Sequence, residues 1–301
     1  MKIRTIFTLG AIALVLAAIS FWIGQVSYSW LPVQAAAESK LIDELFSFLV
    51  TLGSFIFLGV TGTLMYSVIF QRAAKYDYSD GPHIEGNITL EIVWTAIPIF
   101  LVFWIAAYSY NTYQQMAIQG PMELVHLHTP LGMESAYADP LEPETEPVEE
   151  IQVFAKQWSW VFRYPENGVT STELHLPVDR RVRTVLKSED VLHGFYIPAF
   201  RVKQDIIPDH PIDFEFTPIR VGKYSLTDSQ YSGTYFATMT ANVVVESPQD
   251  YKRWLARAAN TRLSSAENQA HSEYIQKSEA PVQPGWPSVK PASPPVVNFH
   301  S

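Results

Sequence analysis

The sequence predicts a membrane protein in which an α-helical hairpin anchors an all-β domain on the outer side of the membrane. Two observations in the 301-residue chain predict this fold. Charged residues are missing from Leu45 to Phe70 and again from Ile92 to Tyr113, and each run is long enough for the about 20 apolar residues that cross a bilayer. After residue 150, short β-prone stretches recur between turn signals at the spacing of a sandwich or barrel.

Residues 1–37 form an apolar amino-terminal segment. Lys2 and Arg4 precede an apolar stretch from Ile6 to Ile23, and the alanines at 35–37 close the segment. A basic start, an apolar centre and small residues at the end are typical of a secretory signal peptide. The apolar centre is somewhat long for a signal, so an uncleaved amino-terminal anchor is the alternative.

Residues 41–115 are predicted to form the transmembrane hairpin, with helices at about 45–70 and 91–113. The loop between them carries Arg72 and Lys75 close to the membrane. Basic residues beside a membrane span stay in the cytoplasm, so this loop and the basic amino terminus are expected inside. Everything after the second helix is then expected outside, on the periplasmic or lumenal side.

The outer part of the chain divides by composition. Residues 116–150 are rich in Pro, Glu and Asp and predict an exposed tether, because such a segment cannot build a core. Residues 151–248 predict the β domain, and residues 249–301 predict a short helix around Trp254 followed by a Pro-rich flexible tail. The β-prone stretches are 151–163, 172–176, 181–187, 191–197, 212–217, 222–226 and 234–246.

Charge and cysteine content exclude several classes of function. The net charge is −9, from 21 basic and 30 acidic residues, which argues against a nucleic-acid partner because such binding needs clustered Lys and Arg. The chain has no cysteine, so it has no disulfide, no thiolate metal centre and no cysteine nucleophile. His126 and His128 form an H-x-H pair in the tether, but zinc needs three or four ligands and no third is evident.

Several motifs together resemble subunit II of the haem–copper terminal oxidases, over roughly residues 40–248. They occur in the order found in that family, and their combination is specific although each alone is weak. The resemblance implies that residues 151–248 form a cupredoxin-like Greek-key barrel. The motifs are Leu90–Thr95 with Ile97-Pro98, Gln157–Trp160, Ser188–His193, Pro198–Phe200, Lys203–Asp205 and Ile207-Pro208.

The outer domain of this family normally holds a dinuclear copper centre, CuA. Its ligands are an early histidine and the pattern C-x-E-x-C-x-x-x-H-x-x-M, in which two thiolates bridge the metals. The matching positions here are His193, Asp228, Gln230, Ser232, Phe236 and Met239. The first and last keep the family's residue, whereas Asp and Ser replace the two cysteines, Gln replaces the glutamate and Phe replaces the second histidine. The resemblance therefore predicts a degenerate site without metal, in which His193 is a hydrogen-bonded remnant.

The resemblance implies a role in respiration. The chain is expected to be subunit II of a proton-translocating oxidase that reduces oxygen to water in a bacterial-type energy-transducing membrane, as a partner of subunits I and III. It is expected to bind no cofactor itself, with the haems and CuB in subunit I. Without CuA, the chain is similar to the bo-type quinol oxidases, so quinol from the membrane pool is expected to be the electron donor.

Three alternatives stay open at this point. The chain could be a cytochrome c oxidase subunit II with an unusual route of electron input, or a purely structural assembly subunit. A free-standing copper-handling or binding protein on a membrane hairpin is the third, and it is disfavoured because the chain supplies no evident ligand set.

Two further residues gain a role from the resemblance. Glu91 matches the family glutamate at the mouth of the proton channel that runs through a lysine of subunit I, although the helix dipole alone would also favour an acid there. Trp158 matches the tryptophan at which electrons enter. With no copper behind it, Trp158 is predicted to pack in the barrel together with Trp160, since aromatic side chains bury large areas.

Overall fold

The computed structural model of the chain describes residues 3–72, 76, 86–116, 148–262 and 268–278. The basic loop residue Lys75, nearly all of the predicted tether with its H-x-H pair His126 and His128, and the Pro-rich tail lie outside the described residues. Two compact units are present. One contains the membrane helices, and the other contains the β domain together with Val33–Lys40.

The membrane unit is built on three long helices, α1 Ile3–Val26, α2 Ala37–Phe70 and α3 Ile88–Gln115. Each is long and apolar enough to cross a membrane. A short 3-10 helix, Ser27–Trp30, follows α1. The predicted hairpin corresponds to α2 and α3, and both begin earlier than the uncharged runs. At α3 the earlier start has a local cause, because the side-chain oxygen of Asn87 accepts a hydrogen bond from the Leu90 amide at 3.1 Å and caps the helix.

The outer unit is a sandwich of two five-stranded sheets, with strand orders β3-β2-β1-β5-β8 and β4-β10-β9-β6-β7. Two pairs, β1–β5 and β4–β10, are parallel and join strands distant in sequence, whereas the other pairs are antiparallel. This confirms the predicted cupredoxin-like fold. The strands are β1 Glu149–Lys156, β2 Ser159–Tyr164, β3 Val169–Ser171, β4 Leu174–Pro177, β5 Val182–Ser188, β6 His193–Ile197, β7 Val202–Ile206, β8 Ile212–Phe216, β9 Gly222–Asp228 and β10 Thr240–Glu246.

Apolar residues at alternate positions of the strands form the core between the two sheets. Along β1, every second residue is buried, which is the pattern of a strand with one face on a core. The largest fully buried side chains are aromatic or aliphatic, among them Phe162, Phe195 and Phe214. The core therefore forms from the period-two pattern that the sequence displays.

Several predicted strand limits were wrong. The stretch 151–163 is two antiparallel strands, β1 and β2, because the chain reverses at residues 157–158. The stretch 234–246 contributes a strand only from Thr240, because Phe236–Thr238 forms a 3-10 turn. Two strands, β3 and β7, were not predicted; β7 has the polar centre Lys203–Asp205, which hides its extended conformation in the sequence.

Two helices pack on the sandwich after β10, namely α4 Pro248–Ala259 and α5 Gln269–Ser278. The first lies where the sequence predicts a short helix. Ser247 caps it by accepting a hydrogen bond from the Asp250 amide at 3.2 Å, and Trp254 stacks on His175 with ring centroids 3.9 Å apart. The second helix, α5, falls in the segment predicted to be a flexible tail.

Candidate functional site

The candidate site lies at the end of β9 and the start of β6, where His193 meets Asp228. The imidazole of His193 is fully buried. Its Nδ1 lies 2.8 Å from Asp228 Oδ2, and its Nε2 lies 2.8 Å from Asp190 Oδ1. An ionised carboxylate can only accept a hydrogen bond, so a ring with a carboxylate on each nitrogen donates from both. His193 is therefore held as an imidazolium between two aspartates.

The pKa values of the pair follow from these contacts. Burial by itself would lower the pKa of His193, but the hydrogen bonds and charges of Asp228 and Asp190 outweigh it, so the pKa is raised above its ordinary value. Burial by itself would raise the pKa of Asp228, but donated hydrogen bonds outweigh it and the pKa is lowered. Both shifts favour the charged forms, so each group stabilises the charge of the other.

Asp228 accepts four hydrogen bonds and organises the loop that follows it. Besides His193, it accepts from the Ser232 hydroxyl at 2.7 Å and from the backbone amides of Gly194 at 2.7 Å and Gln230 at 3.0 Å. Gly194 permits this close packing, because an added Cβ would collide with Ser229 Oγ and lie 3.0 Å from the Gln230 amide nitrogen. The carboxylate thus joins β6, β9 and the loop.

The remaining positions of the copper pattern lie around this carboxylate. Met239 is buried, and its carbonyl oxygen accepts a hydrogen bond from the Asp228 amide at 3.0 Å. Gln230 turns its side-chain amide to Asp205 Oδ1, at 2.8 Å. Phe236 is half-buried and packs edge-to-face on Tyr231. The structure therefore links His193, Asp228 and Ser232 directly by side chains, whereas Gln230 and Phe236 point to other partners.

The residues present do not fit a dinuclear copper centre. The pattern supplies no thiolate, and soft sulfur ligands are what bridge the metals in such a centre. The ring nitrogen of His193 that faces the other ligand positions, Nδ1, is occupied by Asp228. The two aspartates lie on opposite sides of the ring rather than converging with it on one point. Among the described residues, no group of three or more His, Asp or Glu is arranged to hold a metal ion.

Trp158 is tied to the same loop. Its indole Nε1 donates to the Ser232 carbonyl oxygen at 3.1 Å, and its side chain is only 5% exposed. Tyr235 packs against it edge-to-face at 5.2 Å, and so does Tyr274 of α5 at 5.0 Å. Trp160 is also buried, with its ring 6.3 Å from that of His193. Packing of both tryptophans in the domain remains the interpretation that these contacts support.

Glu91 lies in the first turn of α3 and is exposed in this chain. Its amide nitrogen donates to the Asn87 carbonyl oxygen at 2.9 Å, so its backbone is part of the helix from the start. The carboxylate is thus placed at the end of a membrane helix, where both a dipole interaction and proton uptake are physically possible.

Sequence reasoning missed two members of the site. Asp190 stands in the motif Ser188–His193, three residues before the histidine, but its role as the second carboxylate was not predicted. Tyr274 was not predicted because the spacing between it and Trp158 carries no periodic signal. The i, i+3 spacing of Asp190 and His193 is the one signal that could have suggested a pair.

Comparison with known proteins identifies both units. Residues 24–112 match the family model for the cytochrome c oxidase subunit II transmembrane domain. Residues 167–247 match the model for the periplasmic domain of the same subunit. The β domain therefore lies on the periplasmic side of the membrane, as the positions of Arg72, Lys2 and Arg4 predict.

Relatives with two different names align with most of the chain. "Cytochrome c oxidase subunit 2" of Synechocystis is 34% identical over 270 residues, which cover 82% of this chain and 81% of that protein. "Quinol oxidase subunit 2" of Bacillus subtilis is 28% identical over 220 residues, covering 70% of this chain and 61% of that protein. The solved periplasmic domain of subunit II from Bradyrhizobium japonicum is 26% identical, with a TM-score of 0.35, and covers 37% of this chain and 93% of that one.

Proposed function

The chain belongs to the cytochrome c oxidase subunit II family and is a subunit of a haem–copper oxidase complex; we propose that this complex takes electrons from quinol rather than from cytochrome c. The observation that carries the proposal is the Asp228–His193–Asp190 arrangement at the copper-ligand positions. Carboxylates and an imidazolium are not redox-active, and they leave no site for a copper pair. This domain therefore cannot relay electrons from a soluble carrier. Quinol would then be oxidised in subunit I, where the haems and CuB belong.

The surroundings of Trp158 support the same proposal. A residue that receives electrons from a soluble protein must be reachable at the surface. Here the indole is 5% exposed, with Tyr235 on one side and Tyr274 of α5 on another. The tryptophan therefore acts as a packing residue, and subunit II contributes assembly and proton access rather than electron transfer. Subunits I and III are the proposed partners, with the membrane quinol pool as the source of electrons.

A second candidate is a cytochrome c oxidase subunit with an unusual route of electron input. The relative from Synechocystis, whose name specifies cytochrome c, is 34% identical, whereas the quinol oxidase relative from Bacillus subtilis is 28% identical. A purely structural subunit is a third possibility, and it differs from our proposal only in the role of Glu91. The two donor hypotheses make opposite predictions for the purified complex.

Oxygen consumption by the purified complex tests the electron donor. We expect rapid turnover with a quinol analogue and no saturable turnover with reduced cytochrome c, because the chain offers no copper centre to receive the electron. The control is the same preparation with a haem–copper oxidase inhibitor, which should abolish the quinol-dependent rate. Fast and saturable oxidation of cytochrome c by the intact complex would refute the quinol proposal.

We also propose that Glu91 collects protons for the oxidase. An exposed carboxylate in the first turn of a membrane helix can take a proton from water and pass it into the protein. Glu91→Gln keeps the shape but removes the proton carrier, so turnover should fall by up to about tenfold, equal to about 1.4 kcal/mol of barrier, while assembly stays intact.

The matched control for this experiment is Glu44→Gln. Glu44 is an exposed acid near the start of α2, which is the end of that helix expected on the outer side of the membrane. Its loss should therefore leave turnover unchanged. Both variants should copurify with a haem-bearing partner in normal yield. Equal rates for Glu91→Gln and the wild-type complex would leave Glu91 with a helix-dipole role only.

A further inference from the structure

The first helix makes a close and specific contact with the second. Ser20 and Gly24 of α1 are buried, as are Ser27, just after α1, and Ser47 of α2. The Ser47 hydroxyl donates to the Gly24 carbonyl oxygen at 2.8 Å, and the Ser27 hydroxyl donates to the same oxygen at 2.6 Å. Small and hydroxyl-bearing residues are what hold helices together inside a bilayer, because they allow close backbone approach and interhelical hydrogen bonds.

Gly24 is required by this contact. An added Cβ would collide with Thr51 Oγ1 and would lie 3.0 Å from the Ser47 carbonyl oxygen. The other glycines of α1 and α2 behave differently: at Gly10, Gly53, Gly59 and Gly62 an added Cβ would meet nothing within 4 Å. The close approach is therefore confined to one place, as expected of a packed helix pair rather than of a leader that is removed.

The segment after α1 is part of the β domain. The Ala35 amide donates to the Ala199 carbonyl oxygen at 3.0 Å, and the Ala35 carbonyl oxygen accepts from the Ile219 amide at 2.9 Å. The Ala37 amide donates to the Thr217 carbonyl oxygen at 2.9 Å. Ala35 and Ala36 are completely buried. These alanines thus form a short extended segment whose backbone and side chains both complete the domain.

The contact of Gly24 with α2 and the hydrogen bonds of Ala35 with the β domain both conflict with a cleaved signal peptide. Alanines 35–37 have the A-x-A form of a cleavage site, but cleavage after Ala35 or after Ala37 would remove Ala35 with both of its backbone hydrogen bonds. It would also remove Gly24 and its contact with α2. The family model for the transmembrane domain begins at residue 24, so its match includes these residues as well.

We propose that α1 stays in the mature protein as a third membrane-spanning helix, and that alanines 35–37 are a structural segment of the outer domain instead of a cleavage site. The helix would cross from the inner side, where Lys2 and Arg4 belong, to the outer side, where residues 33–40 join the β domain. This inference is independent of the electron donor.

Mass spectrometry of the purified subunit gives the first test. The complex is isolated through a carboxy-terminal tag in mild detergent, and the intact mass of the chain and its amino-terminal peptide are measured. We expect an intact mass that includes the residues before Ala35 and an amino-terminal peptide that includes residues before Ile23. A subunit that begins at Ala36 or Glu38 in most molecules would overturn the proposal.

The second test uses engineered cysteines, which are the only thiols of this otherwise cysteine-free chain. In Gly24→Cys with Thr51→Cys, the new Cβ lies 3.2 Å from the Thr51 Cβ, a few tenths of an ångström short of the usual disulfide range of about 3.5–4.5 Å. Mild oxidation of the full complex should form a disulfide and protect both thiols from a maleimide.

The matched control is Gly10→Cys with Thr51→Cys, which places the first thiol on the same helix at a position with no neighbour within 4 Å. Both of its thiols should stay reactive. Reaction of a single thiol per chain in either variant would mean that α1 had been removed. Equal crosslinking of the two pairs would overturn the specific packing of α1 on α2.

Discussion

At the residue scale, the defining feature is a histidine that donates from both ring nitrogens at a position of the family's copper-ligand pattern. The sign of its pH dependence follows from the two pKa shifts. His193 has a raised pKa, so its contribution to stability is complete below its ordinary value of 6.5 and is lost as the pH rises through the folded value. Asp228 has a lowered pKa, so its contribution is present above 3.8 and is lost as the pH falls through the folded value. The pair therefore stabilises the domain most between these two ordinary values.

Asp228→Asn tests this pairing. The substitution leaves the buried imidazolium with one carboxylate, and breaking a buried ion pair costs about 3–5 kcal/mol of unfolding free energy. The variant should also lose much of the wild-type decline in stability between pH 6.5 and alkaline pH. Unfolding followed by tryptophan fluorescence is a suitable measurement, since Trp160 lies 6.3 Å from His193.

The control for this prediction is Asp250→Asn at the exposed start of α4. Asp250 is also a hydrogen-bonded aspartate with a lowered pKa, but it is exposed, so solvent screens its ion pair and its loss should cost little stability. If the two variants lose equal stability and keep the same pH dependence, the ion pair of Asp228 with His193 does not stabilise the domain.

At the scale of elements, the sequence predicts what depends on local pattern and misses what depends on distant contacts. The helices follow from uncharged runs, and most strands follow from alternation of apolar residues. The merged stretch 151–163 shows the limit, because apolar alternation resumes directly after the reversal at residues 157–158, with no Gly or Pro to mark the turn. Helix α5 shows the same limit, because its Tyr274 contacts Trp158, which lies more than a hundred residues earlier in the sequence.

Of the candidate site, too, the sequence predicts one part and misses another. The resemblance assigned all six copper-ligand positions, because the loop keeps the length of the family pattern. Spacing could not reveal that His193 would turn Nε2 to Asp190, or that Gln230 would turn to Asp205. Those choices depend on which polar groups the folded domain buries together, and a buried charge is stable only when such partners are in place.

At the scale of the whole molecule, the outer domain keeps the family's fold around a site that has lost its chemistry. Ser232 Oγ lies 2.7 Å from Asp228 Oδ2, so the two side chains at the cysteine positions are already neighbours. His193 Nδ1 faces the same carboxylate. Asp190 holds the opposite ring nitrogen, as a supporting carboxylate does for many metal-binding histidines. The two cysteine positions and the first histidine of the copper pattern are thus already adjacent, although the thiolates are missing.

Restoring the ligands should therefore restore the metal. The full chain carrying Asp228→Cys, Gln230→Glu, Ser232→Cys and Phe236→His should bind two copper ions and show the intense visible absorption of thiolate-bridged mixed-valence copper. The matched control omits only Ser232→Cys; its single thiolate cannot form the double thiolate bridge of the centre and is open to oxidation instead. Copper content and absorption are measured on protein whose circular dichroism matches that of the wild-type chain. A folded fourfold variant that binds no copper would show that the loop has moved away from the family geometry. A copper pair bound by the unmodified chain would contradict both the imidazolium assignment and the quinol proposal, because His193 Nδ1 cannot hold a proton and a metal at once.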